Sequence, residues 1–481
     1  MLERHAAPYP LPRGVHLDDE VHRVLQRLGV ADEFARLSRP APGMRLLDAS
    51  HRVLAEFRRS PGAGRHGWPQ ANLFDQPDLE ALLRRRLDAL PAAQVRTGAD
   101  VVEVRPGAAP TVTYLRDGVR VQLHAAAVLA CDGATSPVRE ALRLGWRVLG
   151  PAQPWAVVDV RCRARLGVWD GVQQVCSPVR AATVLRVGAD RYRWEFRLRP
   201  GETAAGLTAG DGLLRLLRPW TGEVPAGEIE VLRVAEYEFR AGIARRWRDG
   251  RVLLLGDAAH LTPPFTGQGL GAGLRDADNL AWKLARVLQD GAPDALLDTY
   301  EQERAPHVRG MVRLAVLVGR LMTGGGPQAA HVRRLVLAAL PRLPGLRARV
   351  LDSTTPRLRG GALAPRRAPR PVGQLVPQPP VRVGGAEVRL DDVLGPRPAV
   401  LTRVEPDRAL LDLAARTGAR VLVCGPHVHD GGLDAYLRQA GATAVVVRPD
   451  HAVLAVARTR TPGVELSRGR WLALLGASTT S

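Results

Sequence analysis

The 481-residue chain has little cysteine, one lysine, few aromatic residues and no long apolar run, and each shortage removes a class of protein. Four cysteines occur, Cys131, Cys162, Cys176 and Cys424, with no Cys-x-x-Cys pair among them. A disulfide scaffold and a cysteine-built zinc site are therefore excluded, and a reducing, cytoplasmic location is expected. The longest apolar window, residues 314–322, is too short for a bilayer and is broken by Gly319 and Arg320, so no membrane partner is expected. The start, Met1-Leu2-Glu3-Arg4-His5, lacks the charged-then-apolar order of a secretory signal. Lys283 is the single lysine among 68 basic residues, which face 48 acidic ones for a formal charge of +20. The arginines are scattered through every kind of segment beside abundant Ala, Gly, Pro and Leu, as a GC-rich coding bias would leave them. The run Arg84-Arg85-Arg86 falls on the solvated face of a helical pattern, and aromatics at 4% offer few stacking platforms, so nucleic acid is not an expected partner.

What is present is enough apolar material, 46% of residues, for two or three domains. Val21, Val24, Leu25 and Leu28 follow helical spacing and stop at Gly29; Leu79, Leu82, Leu83 and Leu87 do the same after Gln76-Pro77-Asp78. Residues 126–131 and 251–255 are continuous apolar runs ending in Asp132-Gly133 and Gly256-Asp257, as expected of parallel strands covered on both faces. Two such strands predict an open α/β sheet with a ligand at its carboxyl edge. Residues 155–160, 182–187, 192–198 and 229–239 form short β-rich runs, expected to make a separate inserted sheet, with a helix around 210–217. Residues 281–322 read as helical. Residues 354–380, rich in Pro, Gly and Arg, read as a linker, and strands at 399–401, 420–424 and 443–447 alternate with helices at 407–416 and 432–440. The expected division is 1–150 with 241–353, an insert at 151–240, the linker 354–380 and a small α/β domain at 381–481.

The richest segment for chemistry is Gly256-Asp257-Ala258-Ala259-His260-Leu261-Thr262-Pro263-Pro264-Phe265-Thr266-Gly267-Gln268-Gly269-Leu270-Gly271-Ala272-Gly273. A strand feeds a sharp acidic turn, then a rigid Pro-Pro bend, then a glycine-rich entry into a long helix. Glycines let a flat ligand approach the backbone, and a helix N-terminus favours negative charge, so an anionic ring system suits the place. The plainer alternative, glycines serving only helix–sheet packing, stands against the length of the whole string. Ser136-Pro137 reads independently as a helix N-cap followed by proline at the first helical position.

The string resembles the second flavin motif of the class A flavoprotein aromatic monooxygenases, the p-hydroxybenzoate hydroxylase-like family, and most closely their 3-(3-hydroxyphenyl)propionate hydroxylase branch. Three further segments agree in order: residues 13–20 (Arg13-Gly14-Val15-His16-Leu17-Asp18-Asp19-Glu20), 75–80 (Asp75-Gln76-Pro77-Asp78-Leu79-Glu80) and 131–139 (from Cys131-Asp132-Gly133 to Val138-Arg139). The tail resembles that branch's thioredoxin-like appendage, with Val447-Arg448-Pro449-Asp450 matching a late motif. The resemblance implies a Rossmann-like FAD-binding sheet, an inserted antiparallel substrate sheet and a thioredoxin-like domain. It implies FAD as cofactor and NADH or NADPH as co-substrate. The partners it implies are O2 and a small phenolic or polycyclic aromatic substrate, hydroxylated through a flavin C4a-hydroperoxide; a second copy of the chain is the other partner considered. By the same resemblance Asp257, within Gly256-Asp257, bonds the ribityl chain, and Pro264 and Gly267 to Gly271, including Gly269 and Leu270, present backbone to the flavin ring. Gln76 and Arg13 contact the ribityl and pyrophosphate region, Asp132 and Gly133 lie near the pyrophosphate and the dinucleotide approach, and Glu3 of Leu2-Glu3-Arg4 takes the ribose hydroxyls, Arg4 completing that string.

The family's first strand and its G-x-G-x-x-G turn belong upstream of Glu3 and are not in the sequence; from this the expectation is weak flavin binding by the chain as given. The proton acceptor for a phenol is not identified by pattern. His260 is a weak catalytic candidate, with bracing of its turn the alternative reading. Tyr192, Trp194 and Phe196 alternate with charged residues and read either as substrate contacts or as sheet core. A non-hydroxylating oxidoreductase or epoxidase of the same fold, and an inactive flavoprotein acting as a binding module, are the alternative functions. His427-x-His429-Asp430 reads as a polar loop, with no metal expected, and Cys424 lacks a partner at redox spacing, so the tail is expected to be structural.

Overall fold

A computed structural model describes residues 1–60, 62–324, 355–424 and 431–476. Its largest sheet has eight strands in the spatial order His260–Leu261, Ile229–Ala244, Trp146–Cys162, Arg191–Arg197, Ala182–Arg186, Val172–Val175, Gly43–Leu47 and Val53–Arg58. Neighbours are antiparallel except Val172–Val175 beside Gly43–Leu47. The sheet thus recruits residues 43–58, well outside the expected insert at 151–240. These two short strands join through a parallel pairing that no local pattern announces.

Side chains alternate across a strand, and here the alternation separates two environments. On the outer face Tyr192, Trp194 and Phe196 pack with Val158, Val160 and, from the helix Gly212–Thr221, Leu213, Leu217 and Trp220. These aromatics are therefore sheet core turned away from the rest of the molecule. Arg193, Glu195 and Arg197 occupy the inner face: Arg193 donates to the backbone oxygens of Pro12 and Arg13, and Arg197 to that of Thr323.

Against that inner face lies the layer built on the two parallel-strand pairs. Val128–Ala130 runs parallel to Val252–Leu254, which also pairs with Arg248–Asp249; Leu2–Glu3 runs parallel to Arg96–Thr97 as a separate pair. Val252, Leu253 and Leu254 are fully buried as expected, but Leu129 is 45% exposed. The expectation of cover on both faces fails at Leu129; its strand Val128–Ala130 also lies at the edge of its sheet, with a strand neighbour on one side only among the described residues. Helices Gly269–Gln289 and Ala295–Thr323 close the layer, and the buried Tyr300 hydroxyl donates to Leu254 O at 2.8 Å.

The C-terminal unit is a four-stranded sheet ordered Arg420–Val423, Ala399–Thr402, Ala444–Val447, Val453–Ala457, with helix Arg408–Thr417 capped by Asp407 and ended at the left-handed Gly418. Helix Gly431–Gln439 follows a segment that includes His427, His429 and Asp430, which lies outside the described residues. The linker expectation needs correction. Residues 355–380 have almost no regular structure, yet Leu363, Ala364 and Val376 are at most 1% exposed, and Gln378 bonds Gln26 and His66 of the first unit. Proline and arginine suppress helix and strand there without preventing burial, so the stretch is a packed strap.

The C-terminal unit docks through buried charge. Arg23 forks onto Asp391 at 2.7 and 2.6 Å, and His451 Nδ1 lies 3.0 Å from the same carboxylate. Arg448 meets Glu303 at 2.7 Å and also pairs with Asp450; Lys283, wholly buried, donates to Glu303 at 2.8 Å and to Asn279 at 2.7 Å. No helix among the described residues is long and apolar enough to cross a membrane.

Candidate active site

The site is built where the strand Val252–Leu254 ends. Gly256 has a left-handed φ of +58°, and the turn packs tightly on the helix, since a Cβ on Gly273 would lie 3.3 Å from the Gly256 Cα. The turn is held from within: Asp276, fully buried, accepts from Gly256 N at 3.1 Å, from His260 Nε2 at 2.6 Å and from Arg304 Nε at 2.8 Å. Burial pushes the Asp276 carboxyl up, but His260 and Arg304 overcome this and hold it below the usual range. His260, the weak catalytic candidate, is 1% exposed and spent on this brace.

Asp257 stands at the open side of the turn. Burial raises its pKa, while His260 and Arg13 pull the other way, which places Arg13 in electrostatic reach of it. Beyond the Pro263-Pro264 bend, Gly267 is left-handed at φ +63°, and a side chain there would press on the His16 ring. Helix Gly269–Gln289 then begins with no side-chain cap, so its first N–H groups are free to meet a ligand. Gln76 Oε1 accepts from the N–H groups of Arg13 and Gly14 at 2.8 and 2.6 Å and so fixes the facing loop, with Leu270 close against Gly14. The Thr262 and Thr266 hydroxyls are buried without partners among the described residues. Uncapped amides, orphaned hydroxyls and bare glycines fit the edge of a flat anionic ring system.

Other expected residues have local work. Asp132 accepts from Ser136 Oγ at 2.6 Å and Val138 N at 2.9 Å, and Ser136 Oγ accepts from Arg139 N at 3.1 Å, so the capping reading of Ser136 holds. Gly133, at φ +83°, makes the turn between them. Glu3 Oε1 accepts from His5 N at 2.9 Å, and Arg4 Nε reaches His5 at 3.2 Å. Sequence reasoning missed Arg139, Asp276 and Arg304. Arg139 donates to Ala258 O at 2.8 Å and stacks on Trp146, tying the Asp132 turn to the Gly256 turn. Its place in residues 131–139 was the only signal. A cleft of about 380 Å³ opens beside it, lined by Ala134, Arg143, Trp146, Arg240 and Leu261 among others.

A large sheet facing a glycine-rich helix entry, with an appended small α/β unit, defines the flavoprotein hydroxylase class. The chain belongs to the FAD-dependent aromatic hydroxylases: residues 1–315 match the FAD binding domain family and residues 373–467 the HcaD C-terminal domain. It is 34% identical over 489 residues to the 3-(3-hydroxy-phenyl)propionate/3-hydroxycinnamic acid hydroxylase of Burkholderia cenocepacia, covering 95% of this chain and 88% of that protein. The like-named enzyme of Mycolicibacterium smegmatis is 32% identical, covering 94% and 85%. Among solved structures, OxyS anhydrotetracycline hydroxylase from Streptomyces rimosus superposes with a TM-score of 0.80 at 26% identity, covering 99% of this chain and 94% of that one. Aklavinone-11 hydroxylase, in complex with FAD and aklavinone, gives 0.80 at 23% identity and supports the fold, with the same coverage. The protein is therefore an FAD-dependent monooxygenase of aromatic substrates.

Proposed function

We propose that the chain hydroxylates the ring of a phenol, simple or polycyclic, with O2 as oxidant and NADH or NADPH as reductant. The observation that carries this is the bare, uncapped entry of helix Gly269–Gln289, whose preceding loop meets the polar inner face of the large sheet where Gln174 donates to Phe265 O. FAD, when bound, supplies the redox chemistry and oxygen activation. In this reading Asp257 takes the ribityl hydroxyls, and Gly267, Gly269, Leu270 and Gly271 offer backbone N–H groups to the pyrimidine edge, with Pro264 setting their approach. Gln76 holds the Arg13 loop so that the Arg13 guanidinium meets phosphate. Asp132 shapes the turn that brings Gly133 to the pyrophosphate, and Glu3, with Arg4 beside it, accepts from ribose hydroxyls. His260 keeps the turn rigid. The basic and aromatic cleft around Arg143, Trp146 and Arg240 suits the reductant's phosphates.

The division we propose follows: the flavin layer from residues 1–150, without 43–58, and 241–324, the substrate sheet centred on 151–240 with 43–58 added, and the tail from 381. The test is to saturate the protein with FAD, supply NADH or NADPH, and analyse products from a panel of phenols and polycyclic aromatics. Ring-hydroxylated product formed with consumption of one reductant is expected. Epoxides would move the protein to a sister activity, and flavin retention with no reductant oxidation would leave it a binding module.

A further inference from the structure

The inner face of the large sheet carries one row of residues whose polar members the fold leaves partly without partners among the described residues. Strand register places Leu46, Gln174, Thr183, Glu195 and Val157 side by side across five strands, all on one face. Gln174, Thr183 and Glu195 are 2%, 9% and 9% exposed. Gln174 Nε2 donates to Phe265 O at 3.1 Å, which places this row directly under the loop that meets the flavin; its Oε1 has no partner among the described residues. Phe265 is seated by Gly319, where a Cβ would lie 2.4 Å from its ring, and its ring meets Trp155 and Phe239.

Glu195 is the stronger anomaly. Its neighbours along the strand, Arg193 and Arg197, are both committed, the first to Asp159, Pro12 and Arg13, the second to Thr323. Glu195 itself forms neither a hydrogen bond nor an ion pair among the described residues. The charged groups that act on it are Arg193 and Arg233, which favour its anion, and Asp159, which opposes it; burial outweighs them and lifts its pKa above the usual carboxylate range. A buried carboxylate with no donor costs stability, so its retention calls for a ligand that donates to it.

We propose that Glu195 takes the proton from the ring hydroxyl of the aromatic substrate, and that Gln174 Oε1 accepts a hydrogen bond from a second polar group on the same molecule; this rests on the hydroxylase reading above. The two side chains stand two strand spacings apart, roughly 9–10 Å, about the span of a substituted aromatic ring. The substrate O–H bond breaks, its electron pair stays on oxygen, and the proton forms an O–H bond on Glu195. The phenolate so formed, steadied by Arg193 and Arg233, donates electron density into the ring and makes the carbon to be hydroxylated more nucleophilic. After oxygen insertion Glu195 returns the proton to the product's oxygen.

The test uses FAD-saturated protein and 4-nitrophenol, whose ionised form has its own absorption band. With wild type the bound probe should complete its ionisation at least one pH unit higher than with Glu195→Gln, because the second negative charge forms beside the first, and Glu195→Asp should keep part of the difference. Glu195→Gln should melt no lower than wild type, since it removes an unanswered charge, while hydroxylation falls on the order of 10²–10⁴-fold. Gln174→Leu should weaken probe binding and leave the ionisation pH where it is. Equal ionisation in wild type and Glu195→Gln would overturn the role of Glu195 and leave the hydroxylase reading intact. Failure of FAD-saturated wild type to bind any phenol of the panel would overturn both.

Discussion

Two buried polar clusters make an instructive pair. Where the C-terminal unit docks, Arg448, Glu303, Lys283, Asn279 and Asp450 answer one another completely. Across the inner face of the large sheet, Gln174 Oε1 and the Glu195 carboxylate are buried and have no partner among the described residues. In the first cluster the charges hold two units together; in the second the missing partners mark the place of a substrate. The chain's single lysine belongs to the first, in a site closed on every side, where a compact ammonium reaches two acceptors.

The contrast can be broken at several points. Arg448→Met leaves Glu303 and Asp450 short of their cation, and a loss of about 3–5 kcal/mol is expected in urea unfolding, whereas Glu195→Gln should cost nothing. Gly267→Val combines a strained left-handed φ with a tight approach to His16, so added FAD should bind at least tenfold more weakly than to wild type in a fluorescence titration; an unchanged affinity would count against the ring-edge assignment. Acid should open the docking cluster. Burial raises the Asp450 carboxyl, but Arg448 more than offsets this and lowers it from 3.8 to about 2. A depressed carboxylate contributes stability that is complete above the unfolded value and is lost as pH falls from about 4 to about 2, so thermal melts across that window should show the tail loosening. Asp257→Asn should weaken FAD binding about threefold to tenfold in a fluorescence titration, the worth of a single polar contact. Smallest, Ser136→Ala removes one cap and should cost about 1 kcal/mol with little effect on turnover.

Much of the flavin layer was legible because its parts are local. The helices after Asp18 and Asp75, the run into Gly256-Asp257 and the glycine-rich helix entry are written in consecutive residues, and the fold they imply is the one observed. Less was legible where partners lie far apart. Arg139 reaches Ala258 across 119 positions, and Glu303 meets Arg448 across 145. The period of two in residues 191–197 revealed a strand with two unlike faces, yet could not say which face was inward; the aromatic residues read either as substrate contacts or as sheet core, and they are the outer core.

Sequence alone pointed to the class of cofactor chemistry: one contiguous string offers bare backbone and a helix start to a flat anionic ring, and its resemblance to a flavin motif implied which ring. Only the tertiary structure decided which polar residues are spent on the fold and which are kept for the substrate. That distinction depends on whether a distant strand or helix supplies the hydrogen-bond partner, as it does for His260 and Asp276 and does not for Glu195.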